Sequence, residues 1–169
     1  MVIFADHSGN LKIPKMGCDA ISLLQFRILL LEFVHGSDLS NEIIGAAITV
    51  HRRLGPGLLE SAYEACLAFE LQALGKKVER QKPVPVFYDG VKLDCGFRAD
   101  LVVEGKVVLE LKCKEALHPV DEAQLLSHLR LLNISVGLLI NFHVVLLKHG
   151  IKRLVNNYVA PENLQLIRS

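Results

Sequence analysis

Glu60, Asp100, Glu110 and Lys112 are the side chains in this sequence whose types and spacing suit chemistry. The run Val107-Val108-Leu109-Glu110-Leu111-Lys112 reads as a strand. Side chains alternate across a strand, so Glu110 and Lys112 share one face and Leu109 and Leu111 the other. A carboxylate and an amine on so apolar a strand are costly to bury unless they are paired or bind a cation. Two readings follow: a structural Glu–Lys pair, or part of a cation site. Asp100, between Arg98-Ala99 and Leu101-Val102-Val103, is likewise either a turn residue or partner of Arg98, or a second oxygen ligand beside Glu110. Hard cations such as Mg²⁺ prefer carboxylate oxygens. The second reading carries a geometric condition. A two-residue loop at Glu104-Gly105 leaves Asp100 and Glu110 on opposite faces. A three-residue loop, Glu104-Gly105-Lys106 with Gly105 at positive φ, or a bulge, puts them on one face.

Other residues need the same weighing. Glu60, Tyr63, Leu67, Leu71 and Leu74 form one helical stripe with the acid at its N-terminal end. Complementing the helix dipole is worth ~0.3–1 kcal/mol and accounts for an acid in a first turn. It does not account for one at the head of a core-facing stripe. Gln124 and His128 lie one turn apart on a shared face. Gln124 also fits a capping box opened by Asp121, and His128 also fits a partly buried, satisfied histidine. His51 reads as a helix-face histidine. Basic side chains collect at Arg52-Arg53, from Lys76 to Lys82, and from Lys148 to Arg153. Each cluster is a solvated surface on its own, and a set of phosphate contacts if the clusters converge.

The elements that must position these groups follow from periodicity. Ile43, Ile44, Ala47, Ile48, His51 and Leu54 repeat at helical spacing, and Gly55-Pro56-Gly57 ends that helix. A second helix over about 58–74 stops at Gly75. The pattern then turns to strands: 77–88, on an edge or bulged because of Pro83 and Pro85, an Asp89-Gly90 hairpin turn, 91–103 and 107–112. A helix capped by Asp121 runs to about 132, and 136–142 is an apolar strand suited to the middle of a sheet. A short element is expected near 150–155. A helix between two strands implies a right-handed crossover joining parallel strands, so the sheet should be mixed. Residues 1–39 read as an extension carrying one apolar helix at about 19–34, residues 40–155 as the main domain, and 156–169 as a tail.

Composition sets the limits. The chain has 169 residues, 51% of them hydrophobic, and a formal charge of +1. That supports a real core and excludes a uniformly basic coat for nucleic acid. Cys18, Cys66, Cys95 and Cys113 form no C-x-x-C pair, which argues against structural zinc and for free thiols in a reducing cytoplasm. The N-terminus lacks the basic region of a signal peptide. The apolar run over 20–34 is shorter than the ~20 residues a membrane span needs, and Arg27 and Glu32 interrupt it.

Taken together, the chain resembles the GxxExxY family, within the wider PD-(D/E)XK nuclease-like superfamily. The naming motif is present as Gly57-Leu58-Leu59-Glu60-Ser61-Ala62-Tyr63. The likeness continues through Gln81-Lys82-Pro83-Val84-Pro85-Val86, Phe97-Arg98-Ala99-Asp100-Leu101 and Glu110-Leu111-Lys112. It then takes in Glu122-Ala123-Gln124-Leu125-Leu126 and Gly137-Leu138-Leu139-Ile140-Asn141-Phe142. This resemblance implies an α/β (α+β) fold of the restriction-endonuclease type, a mixed sheet flanked by helices in the order α-α-β-β-β-α-β. It implies a nuclease in which Asp100, Glu110 and Glu60 hold Mg²⁺ or Mn²⁺, with the Leu111 carbonyl as a further oxygen. Lys112, Glu60 and Gln124 then serve catalysis, and the substrate is nucleic acid, DNA before RNA. Arg52, Arg53, Lys82, Arg98, His128, Lys148, Lys152 and Arg153 would contact it. Neither a membrane nor a fixed oligomeric state is implied, with a homodimer left open. Two positions depart from the pattern: His128 stands at the aromatic of Q-x-x-x-Y, and Asp121 where relatives often carry histidine. The alternatives are a catalytically silent module that binds nucleic acid or protein, and an interaction protein docking through 20–34.

Overall fold

The structure, a computed structural model, describes residues 38–156. The expected apolar helix at 19–34 and nearly all of the expected tail lie outside the described residues. Among the described residues no helix is long and apolar enough to cross a membrane.

Helix α1 occupies 38–54, and α2 follows at Glu60–Ala73. Seven strands come next in chain order: β1 Val78–Pro83, β2 Val86–Tyr88, β3 Val91–Leu93, β4 Arg98–Val103, β5 Val107–Lys112, β6 Val136–Asn141 and β7 Ile151–Val155. Helix α3, Pro119–Leu132, lies between β5 and β6. Five strands form one sheet in the order β1-β4-β5-β6-β7. The β1–β4, β4–β5 and β6–β7 pairs are antiparallel and β5–β6 is parallel. This is the mixed sheet of the restriction-endonuclease type, made by hairpins first and one helical crossover later.

The two long extended runs read from the sequence are each broken in two. Pro83 and Pro85 cannot donate to a ladder, so the chain leaves the main sheet. It forms a separate two-stranded hairpin, β2–β3, around Asp89-Gly90, and rejoins the sheet at Arg98.

Helices cover both faces. On one, Ile43, Ala47 and Val50 of α1 and Tyr63, Leu67 and Leu71 of α2 pack on Leu101, Val103, Val107, Leu109 and Leu111. On the other, Leu125 and Leu129 of α3 pack on Ala99, Val102, Val108 and Leu139. The continuous apolar pattern of β6 is explained by its burial on both faces between β5 and β7.

Helix α3 starts earlier than expected. His118 is its N-cap, with Pro119 in the first turn, and the Asp121 carboxylate accepts the His118 N–H at 2.7 Å. Asp121 is thus the reaching partner of the capping box, three residues inside, and Gln124 has no part in the cap. The helix sits tightly on β6, where a Cβ added to Gly137 would lie 2.8 Å from Leu125 Cδ1.

Gly137→Ala should therefore destabilise the fold by about 1–3 kcal/mol through overpacking. Urea unfolding measures it, and combining it with Leu125→Ala should cost less than the sum of the two single changes.

Candidate active site

The expected three-residue loop between β4 and β5 is present. Glu104 and Gly105 take φ values of 54° and 63°, and the Lys106 N–H closes on the Val103 carbonyl at 2.9 Å. Pairing then runs Val103↔Val107, Val102↔Val108 and Leu101↔Leu109, and stops. One step further, the Leu111 N–H donates to Asp100 Oδ2 at 2.8 Å. A carboxylate has entered the place of a ladder carbonyl.

That substitution alters the expected geometry. Regular alternation from Val102 would turn Asp100 toward α3, the side of Glu110. Instead Ala99 and Val102 both pack on the α3 side, so the alternation slips between them. Asp100 then lines a hollow of about 220 Å³ with Glu60, Ser61, Glu64, Gln81 and Leu111, on the α2 side. The shared face expected for Asp100 and Glu110 is therefore corrected, because Asp100 serves the strand end as a hydrogen-bond acceptor.

Glu110 lies on the α3 side and is only 1% exposed. Its Oε1 accepts from Lys112 Nζ at 2.6 Å. Its Oε2 is 3.2 Å from His128 Nδ1 without the alignment of a hydrogen bond, so this buried oxygen has no hydrogen-bond partner. His128, read either as a partly buried histidine or as a nucleic-acid contact, is fully buried against Phe97, with ring centroids 4.2 Å apart. Burial removes it from any such contact.

Glu60 arrives from α2, where Tyr63 holds the turn before it. The Tyr63 hydroxyl donates to the Gly55 carbonyl at 2.5 Å and accepts from the Leu58 N–H at 3.2 Å. Its ring stacks on Phe142 at 4.3 Å. Glu60 Oε1 accepts the N–H of Cys113, just past the end of β5, at 3.0 Å. So the Glu and Tyr of the G-x-x-E-x-x-Y motif tie α2 to the strand end carrying Glu110 and Lys112.

Charge links the two sides. The Asp100 carboxyl is pushed up to about 6 by burial and then by the charge of Glu110, against the pull of the Leu111 N–H and Lys112. Burial drags the Lys112 ammonium down, but its pairing with Glu110 and the charges of Glu60 and Asp100 hold it above its ordinary value. Cys113 is a poor nucleophile, its thiol raised to about 11 by burial and by Glu60.

Two residues here carried no separate signal in the sequence. Glu64 is buried and accepts from Arg80 Nε at 2.8 Å and Gln81 Nε2 at 2.6 Å. Its place one turn after Glu60 was the available clue. Gln81 was visible only as part of a motif. Gln124 is half-buried on α3, and its side chain makes no hydrogen bond among the described residues.

Several of the basic residues are engaged by neighbouring acids. Arg53 pairs with Glu70, Lys82 with Glu79 and Lys152 with Glu122. Arg98 donates to the Gln81 carbonyl at 3.1 Å, beside the hollow. Arg153 is half-buried, its guanidinium lowered by that burial, while Arg52 and Lys148 are exposed.

A family model described as the PD-(D/E)XK nuclease superfamily matches residues 37–154. The chain belongs to this superfamily. No curated protein and no solved structure matches it. Membership makes a divalent cation the group to test against these residues. Among the described residues no three His, Cys, Asp or Glu side chains gather around one point that would hold an ion. Mg²⁺ does not require such a cage, since it keeps several waters and takes one or two carboxylates plus substrate phosphate. Asp100 and Glu60, carboxylates that line one open hollow, fit that demand, and the charge of Glu110 reaches Asp100 from the strand end.

Asp100 also sets a pH dependence. Its carboxyl is raised from 3.8 to about 6, so the fold favours the protonated form. The stability this provides is fully present below pH ~4 and is lost as pH rises through ~6. Asp100→Asn should therefore stabilise the metal-free protein at pH 7–8, by about 1–2 kcal/mol after allowance for partial solvent exposure. Denaturation at several pH values should show the slope between pH ~4 and ~6 flattened in this variant.

Proposed function

We propose that this chain is a metal-dependent nuclease of the GxxExxY branch, hydrolysing phosphodiester bonds with Mg²⁺ or Mn²⁺ on DNA before RNA. The observation that carries the proposal is the strand end where Asp100 takes the Leu111 N–H at 2.8 Å and repels a buried Glu110. Two carboxylates there share one nearby ammonium, Lys112. Negative charge in such a place is costly until a cation joins it.

Asp100 and Glu60, which line the hollow together, would hold the cation directly or through water, and Glu110 would join them by turning from its place against Lys112 at the strand end. When bound there, the cation supplies acidity to an attacking water and neutralises phosphate charge. Lys112 stays protonated among Glu110, Glu60 and Asp100. It orients the water and steadies charge developing on the phosphate oxygens. The water oxygen bonds to phosphorus as the 3′ oxygen departs with a proton, leaving a 5′-phosphate and a 3′-hydroxyl. Gln124 and Arg98 supply donors at the rim. The free thiols of Cys66, Cys95 and Cys113 suit a reducing cytoplasm.

A silent module that binds nucleic acid or protein is the second reading. It is favoured by the engagement of Glu110 with Lys112 at 2.6 Å and by the division of the acids between two sides of the sheet.

Labelled DNA and RNA, each with Mg²⁺ and Mn²⁺, separate the readings. Lys112→Ala should lower cleavage by ~100-fold or more and leave Mn²⁺ affinity nearly unchanged by calorimetry. Asp100→Asn should weaken Mn²⁺ binding itself by ~10-fold or more. Mn²⁺ should raise the melting temperature of the parent and not of Asp100→Asn. No cleavage and no Mn²⁺ shift in the parent would establish the silent module.

A further inference from the structure

Gln81 has a backbone that its residue type does not favour. It lies within β1, yet its φ is 48°, in the left-handed region that side chains other than glycine seldom enter. Left-handed non-glycine residues inside regular elements persist only where their surroundings hold them, and they cluster at functional sites. Here the neighbouring rungs of the ladder are Arg80↔Leu101 and Lys82↔Ala99, and the rung between them, Gln81 opposite Asp100, is the one left out.

The side chain shows what the kink accomplishes. Successive residues of a regular strand point to opposite faces. Arg80 and Gln81 are successive, and both reach the same carboxylate. Arg80 Nε donates to Glu64 Oε1 at 2.8 Å and Gln81 Nε2 to Glu64 Oε2 at 2.6 Å. Gln81 Nε2 also lies 3.5 Å from Asp100 Oδ1, as a long second hydrogen bond. Each Asp100 oxygen thus faces one neutral donor, Leu111 N–H on Oδ2 and the Gln81 amide on Oδ1. A neutral donor directs a carboxylate without cancelling its charge, as an ammonium or guanidinium would. Both residues line the same hollow.

We infer that Gln81 is a positioning residue for the metal site: anchored on Glu64, its amide aims the Asp100 carboxylate into the hollow, and its left-handed backbone brings it there. The inference rests on the metal-dependent reading above. It gives Gln81 no contact with the reacting atoms. Its action runs through Asp100, as groups hydrogen-bonded to metal-ligating side chains commonly act.

The test is calorimetric titration of the whole protein with Mn²⁺, beside thermal melting without metal, for the parent, Gln81→Gly and Gln81→Asn. Glycine relieves the left-handed backbone while losing the bond to Glu64, so melting should move little. Mn²⁺ affinity should fall by ~10-fold or more, and cleavage with it. Asparagine tolerates the same backbone, but its amide is one carbon shorter. It should lose Mn²⁺ affinity in the same direction, and it keeps the test open if the glycine variant does not fold. A parent that binds Mn²⁺ beside variants within about twofold of it would overturn the role of Gln81 and leave the metal reading standing. A large loss of melting temperature with unchanged affinity would reduce Gln81 to a structural brace and overturn it too. A parent that binds no Mn²⁺ would overturn the metal reading, and the inference with it.

Discussion

The candidate site depends on a single exchange of hydrogen-bond acceptors. Past Leu101↔Leu109 the β4–β5 ladder stops, and the Leu111 N–H finds the Asp100 carboxylate in place of a backbone carbonyl. A buried N–H cannot be left unpaired without cost, so this bond both ends the ladder and holds the acid at the strand end. It also breaks the alternation of β4, leaving Ala99 and Val102 on one side and Asp100 in the hollow.

The polar groups around that point are arranged so that few charges stand alone. Glu64 is held by Arg80 and Gln81, Asp121 by Lys114 and the His118 N–H, and Glu60 accepts from the Cys113 N–H. Asn141 accepts the Lys114 N–H at 3.2 Å and donates to the Lys114 carbonyl at 2.7 Å, which fixes the chain just beyond Lys112. Against this background the incomplete pairing of Glu110 is an exception. A buried carboxylate oxygen with no hydrogen bond is expensive, and such exceptions in a native fold call for a cause. Its nearest polar neighbour is the His128 imidazole, with Nδ1 at 3.2 Å, on the helix that closes over it.

The helices divide the work. Helix α2 supplies Glu60 and Glu64 to the hollow and uses Tyr63, stacked on Phe142, to keep the preceding turn in place. Helix α3 closes the other face over Glu110 with His128 and Leu125, and its seating is set by the missing side chain at Gly137. The hairpin β2–β3 leaves the sheet next to Gln81 and Asp100, so the kinked rung and the start of the excursion are neighbours in space as well as in sequence.

The sequence by itself determined the fold class, the mixed sheet and most of the elements, because hydrophobic periodicity and turn residues are local properties. Helix α2, strand β6 and the Glu104-Gly105-Lys106 loop were all legible in this way. So was the shared face of Glu110 and Lys112, which two-residue alternation requires, with their pairing as one of two readings. Only the tertiary structure decided which face each acid would serve. Asp100 departs from the alternation of its own strand because a distant N–H needed an acceptor. His128 was legible as a partly buried histidine, but its complete burial depends on Phe97 and the sheet beneath. Gln81 and Glu64 meet because α2 lies over a kinked β1. No pattern along the chain records that contact, since it is made between residues brought together by packing.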